Sequence, residues 1–411
     1  MKIMPSWTRY RYVAKFSIFL IAVILIAGMV ACEEGPAPTS EIWDWYDLDA
    51  IRNNPSGSYL LMKDIDSNTA GYTELASETA NEGKGWEPIG KSDNRFTGSF
   101  DGQGYEISNL FISRLGESYV GLFGIVDEGG VVQNIGVVNA NVTGEWYVGG
   151  LVGATWGTVS NSYSTSSVTG KENVGGLAGG NGGTVSNSHS TGSVSGDDLI
   201  GGLVGVSDDT VNTSHSSGSV SGESRVGGLV GGIAGIVSNS HSSASVSGDR
   251  HVGGLVGYDN GTVSNCHSTG SVTGDSHVGG LVGWNRDTVR NCYSLGSATG
   301  EWLVGGLVGH NRGTVRNSYS TSSVTGNEDV GGLVGRNYEG TVSNSFWDTE
   351  TSGQSTSDGG TGETTEEMQS IVTFSGVGWN INAVANPNTR NPSYTWNIVD
   401  EQTYPFLSWE P

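Results

Sequence analysis

The sequence predicts an all-β parallel solenoid, a β-helix built from 26-residue coils of three strands each. Three observations predict it. The block V-G-G-L-V-G, or a close variant, begins at Val148, Val174, Ile200, Val226, Val252, Val278, Val304 and Val330, and every interval is 26 residues. Each period carries two more β-capable blocks, T-V-S-N-S-[YH]-S as at Thr158 to Ser164 and G-S-V-[ST]-G as at Gly192 to Gly196. No proline occurs from Ile89 to Asn386, so every backbone N–H there can join a ladder. Helical repeats need periods of about 33 residues or more, and propeller blades about 40, so neither fits. The 67 glycines among 411 residues also argue against helices.

Read from the N-terminus, Lys2, Arg9, Arg11 and Lys15 form a basic region before an apolar run from Phe16 to Ala31. That run falls short of the ~20 residues a spanning helix needs. Residues 1–31 therefore read as a signal peptide. Met29-Val30-Ala31-Cys32 resembles a bacterial lipobox, which makes Cys32 the candidate lipidation site and residues 32–40 a lipoprotein linker. The alternative is an uncleaved anchor. Either way the rest of the chain is expected outside the cytoplasmic membrane. The formal charge is −23, and losing four basic residues with the leader makes it more negative. Such a surface repels nucleic acid and anionic lipid.

Residues 41–117 are expected to cap the first coils, with an amphipathic helix over Trp43 to Asn53 and strands at Tyr59 to Met62, Phe96 to Phe100 and Leu110 to Ile112. A cap matters because an open coil edge recruits other chains. Residues 118–347 form the array. Coils stacked ~4.8 Å apart turn repeated residues into ladders, and nine coils span roughly 40 Å. Val159, Val185, Val211, Val237, Val263, Val289 and Val315 make one inward aliphatic ladder. A single coil cannot bury its apolar face, so the array must fold cooperatively. Residues 348–411 follow as a loop over 349–365, a helical turn at Glu366 to Ile371, and strands at Trp396 to Val399 and Tyr404 to Trp409 that close the far end.

The unit G-G-L-V-G…T-V-S-N-[SC]-[YH]-S-T-G-S-V-[ST]-G resembles the GLUG motif of bacterial and archaeal surface proteins. The flanking runs Trp86-Glu87-Pro88-Ile89-Gly90, Phe96 to Gly104 and Trp347 to Gly353 are similar to those of GLUG-containing secreted proteins. The resemblance implies a cell-surface, adhesin-like role on a β-helix, right-handed by analogy with related folds. It implies no catalytic residues.

Several columns carry side chains with chemistry. His189, His215, His241 and His267 share a column with Tyr163, Tyr293 and Tyr319. An outward, solvated ladder is expected, because buried imidazoles would each need a partner. Cys266 and Cys292 occupy one position of consecutive coils, which suits either a disulfide or small inward thiols. Glu145, Asp197, Glu223, Asp249, Asp275 and Glu301 share a turn column broken only by Lys171. Repelling carboxylates of this kind attract Ca²⁺ or simply stay solvated; no other cofactor is expected.

The candidate ligand face lies C-terminal to the V-G-G-L-V-G strand. Tyr258, Trp284, His310 and Arg336 form one column, Arg286 with Arg312 a second, and Arg290 with Arg316 a third. Aromatic rings beside a guanidinium row suit acidic sugars, by stacking and by bidentate contacts to carboxylate or sulfate. No acidic cluster breaks the repeat as a polysaccharide-cleaving site would, and no histidine starts H-E-x-x-H. The expected function is therefore a non-catalytic surface binding module for a glycan or protein ligand. A β-helical polysaccharide-degrading enzyme and a plain surface spacer are the alternatives.

Overall fold

The computed structural model describes residues 39–410; the lipobox and Cys32 lie outside them. Strands stack in register, Val159 on Val185 on Val211 and onward, so each coil sits directly on the last. The three sequence blocks divide among four stacked sheets rather than three. In the coil that starts at Thr158, the first face is Thr158–Ser160 and the second Tyr163–Ser164. The third face is Ser167–Thr169 with Glu172–Gly175, and the fourth is Ala178–Asn181. The extra face arises because V-G-G-L-V-G bends at its Gly pair and serves two sheets. The fourth sheet has nine strands, one per coil.

Asparagine makes the corner between the first and second faces. Asn161, Asn187, Asn239, Asn265, Asn291 and Asn317 all have φ of 48–53°. Asn tolerates this left-handed region better than other L-residues. The amides also join across coils: Asn291 Nδ2 donates to Asn265 Oδ1 at 3.1 Å, and Asn265 Nδ2 to Asn239 Oδ1 at 3.2 Å. One coil departs from the rule, with β-branched Thr213 at φ 47°. Thr213→Asn is expected to stabilise the protein by about 1 kcal/mol through relief of that conformation. A thermal melt checks this, and an unchanged or lower midpoint would count against it.

The bend turns the second-face rings outward and the serines beside them inward, as expected. Ser164, Ser190, Ser216 and Ser242 are buried, and Cys266 and Cys292 are buried free thiols among the inward side chains. On the outer side of the bend, His189, His215, His241 and His267 stack 4.8–4.9 Å apart with nearly parallel rings. The column is not solvated throughout. His267 is buried against Trp409, and Tyr293, Tyr319 and Phe346 continue the column buried beneath the C-terminal segment.

That segment lies along the flank of the solenoid instead of only closing its end. Ile381–Ala383, Trp396–Ile398 and Phe406–Leu407 form a small sheet. Together with Phe374 and Trp379 it builds a second core over Tyr293, Tyr319 and Phe346. Tyr319 donates its hydroxyl hydrogen to Pro405 O at 2.6 Å, and Trp409 Nε1 donates to Asn265 O at 3.0 Å. The last coil is covered by the stretch expected to be a loop. Gly332 N donates to Thr356 O, Asp358 N to Val334 O, and Thr361–Glu363 pairs with Phe346–Asp348.

At the other end, Asp44 caps the helix Trp45–Ala50 through the N–H groups of Tyr46 and Asp47. Trp45, Leu48 and Ile51 point into the same core that the coils fill. Among the described residues no helix is long and apolar enough to cross a membrane.

Candidate functional site

The outer surface of the fourth sheet changes character along its length. The outward column reads Ala154, Gly180, Val206 and Gly232, then Tyr258, Trp284, His310 and Arg336. The four candidate residues are thus neighbours in register on consecutive coils. Trp284 and His310 stack with centroids 5.5 Å apart and planes 2° from parallel. Tyr258 meets Trp284 edge-on at 5.4 Å. Arg286 Nη1 donates to the Tyr258 hydroxyl at 2.6 Å, and its guanidinium lies 5.7 Å from the Trp284 ring. Arg312 lies 4.7 Å over Tyr338, a ring the sequence reading passed over. Arg290 and Arg316 are aligned with each other but belong to the first face, around the corner.

Two histidines complete the surface, and sequence reasoning missed their part in it. The residue before the Val of each V-G-G-L-V-G block has positive φ: Tyr147 56°, Leu199 57°, His251 55°, His277 58° and Leu303 57°. This swings the side chain off the third face and onto the fourth. Leu199 covers Gly232 and Tyr147 covers Gly180, which lack side chains to compete for that space. His251 in the same way packs 4.9 Å from Trp284, 6.2 Å from Tyr258 and 4.7 Å from His277. His277 is 5.6 Å from Trp284 and 5.3 Å from His310. Tyr147 facing Gly180 and Leu199 facing Gly232, each 33 positions on, are the sequence signal for this geometry; from His251 and His277 the same spacing leads to Trp284 and His310.

Electrostatics keep these imidazoles neutral near pH 7. Burial, then Arg250 and Arg225, hold His251 down to about 4. Burial, then His251 and His310, hold His277 down to about 3. Burial with Arg312 and Arg336 also lowers His310.

Behind Tyr258, Asp259 points inward and is fully buried. In the following coils its position is taken by Asn285, Asn311 and Asn337, whose Nδ2-to-Oδ1 bonds run from coil to coil at 2.7 Å each. Asp259 Oδ1 accepts from Gly261 N at 2.8 Å, while its Oδ2 is buried without a partner. Burial pushes this carboxyl well above the usual range. A group raised in the folded state favours folding at low pH and opposes it once pH rises past the unfolded value. Asp259→Asn adds the missing donor and is expected to stabilise the protein by about 1–3 kcal/mol, more at pH 8 than at pH 4. Melts at the two pH values check this; a gain confined to acid would contradict it.

The acidic column behaves differently from a metal site. Asp197, Glu223, Asp249, Asp275 and Glu301 are exposed, half-buried Glu145 pairs with Lys171 at 2.8 Å, and no three metal-ligating side chains come together among the described residues.

Comparison with known proteins follows the same repeats. The GLUG motif matches residues 144–169, 170–195, 248–273, 274–299 and 300–325. A Haloquadratum walsbyi protein named halomucin is 41% identical over 138 residues, which are 32% of this chain and 2% of that one. A protein of Evansella cellulosilytica, provisionally named a Gly-rich membrane protein, is 38% identical over 119 residues, 28% of this chain and 13% of its own length. The matched parts are thus small fractions of these relatives. A solved Bacteroides ovatus structure, described as a candidate immunoglobulin A1 protease, is similar over 92% of this chain and 96% of that one, with 18% identity and a TM-score of 0.35.

Proposed function

The chain is a GLUG-repeat protein, and from that premise we propose that it is an exported, lipid-anchored surface solenoid that binds an acidic glycan without catalysis. The single observation that carries this reading is the fourth-face array, Tyr258, Trp284 and His310 in register with Arg286, Arg312 and Arg336 beside them. Stacked rings bind the apolar faces of sugars, and guanidinium forks bind their carboxylate or sulfate groups. The surface is open and linear, running along the coil axis, so it fits a polymer chain better than a small molecule. Cys32 would tether the solenoid to the membrane, and the names of the curated relatives support a surface location.

The carboxylates of the turn column, exposed except for half-buried Glu145, belong to the third face and not to this row of rings. Their part in the proposal is a solvated edge, with Ca²⁺ as an optional occupant. Arg290 and Arg316 extend the cationic surface around the corner and are assigned a secondary role.

A glycan array probed with the full-length protein tests the reading. Retention of anionic polysaccharides without turnover is expected. Depolymerised product would favour the enzyme reading, and no retention of any glycan would favour the spacer.

A further inference from the structure

This inference rests on the fourth face being the binding surface. We propose that the site is an acid-strengthened anion receptor, in which His251, His277 and His310 take up protons as a polyanionic chain binds.

The geometry sets up the coupling. Both ring nitrogens of His251 and of His310 are buried against neighbouring rings and lack hydrogen-bond partners. In the free protein they are neutral aromatic packing, continuous with Tyr258 and Trp284. The charges around them are mostly positive. Arg225 and Arg250 approach His251, and Arg312 and Arg336 approach His310. Two carboxylates face the group, and each is already engaged: Asp198 by Arg225, and Asp329 by Arg336 at 3.5 Å. The hydroxyl of Ser276 meets Nδ1 of His277 at 2.5 Å and adds no charge.

A dry, cationic setting of this kind disfavours imidazolium. An anionic polymer laid over the rings supplies the opposite charge and lifts that penalty. By linkage, whatever raises proton affinity on binding must make binding tighter as protons become available. Affinity therefore rises as pH falls below neutrality, with up to tenfold per pH unit for each proton taken up.

The test uses full-length protein and heparin, whose sulfates stay charged across the range. In wild type, Kd is expected to fall about tenfold between pH 7 and pH 5.5. The protein's own excess of acidic groups also titrates on the acid side, so the decisive comparison is with His251→Gln/His277→Gln. Whatever its affinity at pH 7, that variant should lose most of the pH dependence. Equal pH slopes in both proteins would overturn the inference and leave the binding surface standing. No heparin binding at any pH would overturn both. Should the double variant misfold, calorimetry of wild type in buffers of different ionisation heat reads proton uptake directly, and zero uptake overturns the inference.

Discussion

Gly254→Ala is expected to destabilise the array by about 3 kcal/mol, the upper end of overpacking costs, and to split its unfolding into two transitions. A Cβ at Gly254 would lie 2.1 Å from Gly280 O and 2.3 Å from Ser268 Oγ, both far inside van der Waals contact. The coils cannot part to make room. Gly254 N donates to Gly279 O at 3.1 Å, and Leu255 N to Leu281 O at 2.9 Å, so any shift breaks bonds between coils. Ser268 is itself buried and cannot swing into solvent. In a linear array stability is the sum of coil terms and neighbour interfaces, so one damaged interface in the middle uncouples the two halves. Ser247→Ala, on the exposed edge of the same coil, should change almost nothing. Thermal unfolding of the two variants decides the matter. One transition at the wild-type midpoint for Gly254→Ala would contradict the tight stacking.

The second large effect concerns binding. Trp284→Ala and Arg312→Ala are each expected to weaken retention on an anionic polysaccharide about tenfold, some 1.4 kcal/mol. Trp284 is the hub of the face, in contact with Tyr258, His251, His277 and His310 and beside the Arg286 guanidinium. Its removal takes away the broadest stacking ring and loosens the side chains that lean on it. Arg312 is exposed and held over Tyr338, so its loss removes charge with little effect on folding. Wild-type retention should fall steeply with salt, and the Arg312→Ala remnant less steeply. Salt elution profiles of the three proteins measure this, and identical profiles would favour the spacer reading.

Much of this architecture was legible in the sequence because the repeat is strict. A 26-residue interval without slips fixes which residues stack, and the register of Val159 on Val185 or Tyr258 on Trp284 follows directly. The inward serines and outward rings of the second face followed from one bend at Asn161 and its equivalents. The division of V-G-G-L-V-G between two sheets did not follow, because a glycine pair permits both a straight strand and a corner. His251 and His277 escaped for a related reason. Their direction depends on a positive φ, and the residue type at that position varies from Tyr147 through Leu199 to Asp329. The docking of the C-terminal segment was written only in part in the change from His267 to Tyr293, Tyr319 and Phe346, because Trp409 also covers His267. The change reads as a covered surface only once the partner rings Phe374, Trp379 and Trp396 are seen against it.

Hydroxyl-radical footprinting of the full-length protein, with and without bound heparin, tests the binding face most directly. Protection of Tyr258, Trp284, His310 and Tyr338 is expected, while the histidine ladder from His189 to His241 on the second face stays as reactive as in the free protein. Protection of that ladder with Trp284 unchanged would place the ligand on the wrong side of the solenoid and contradict the proposed site.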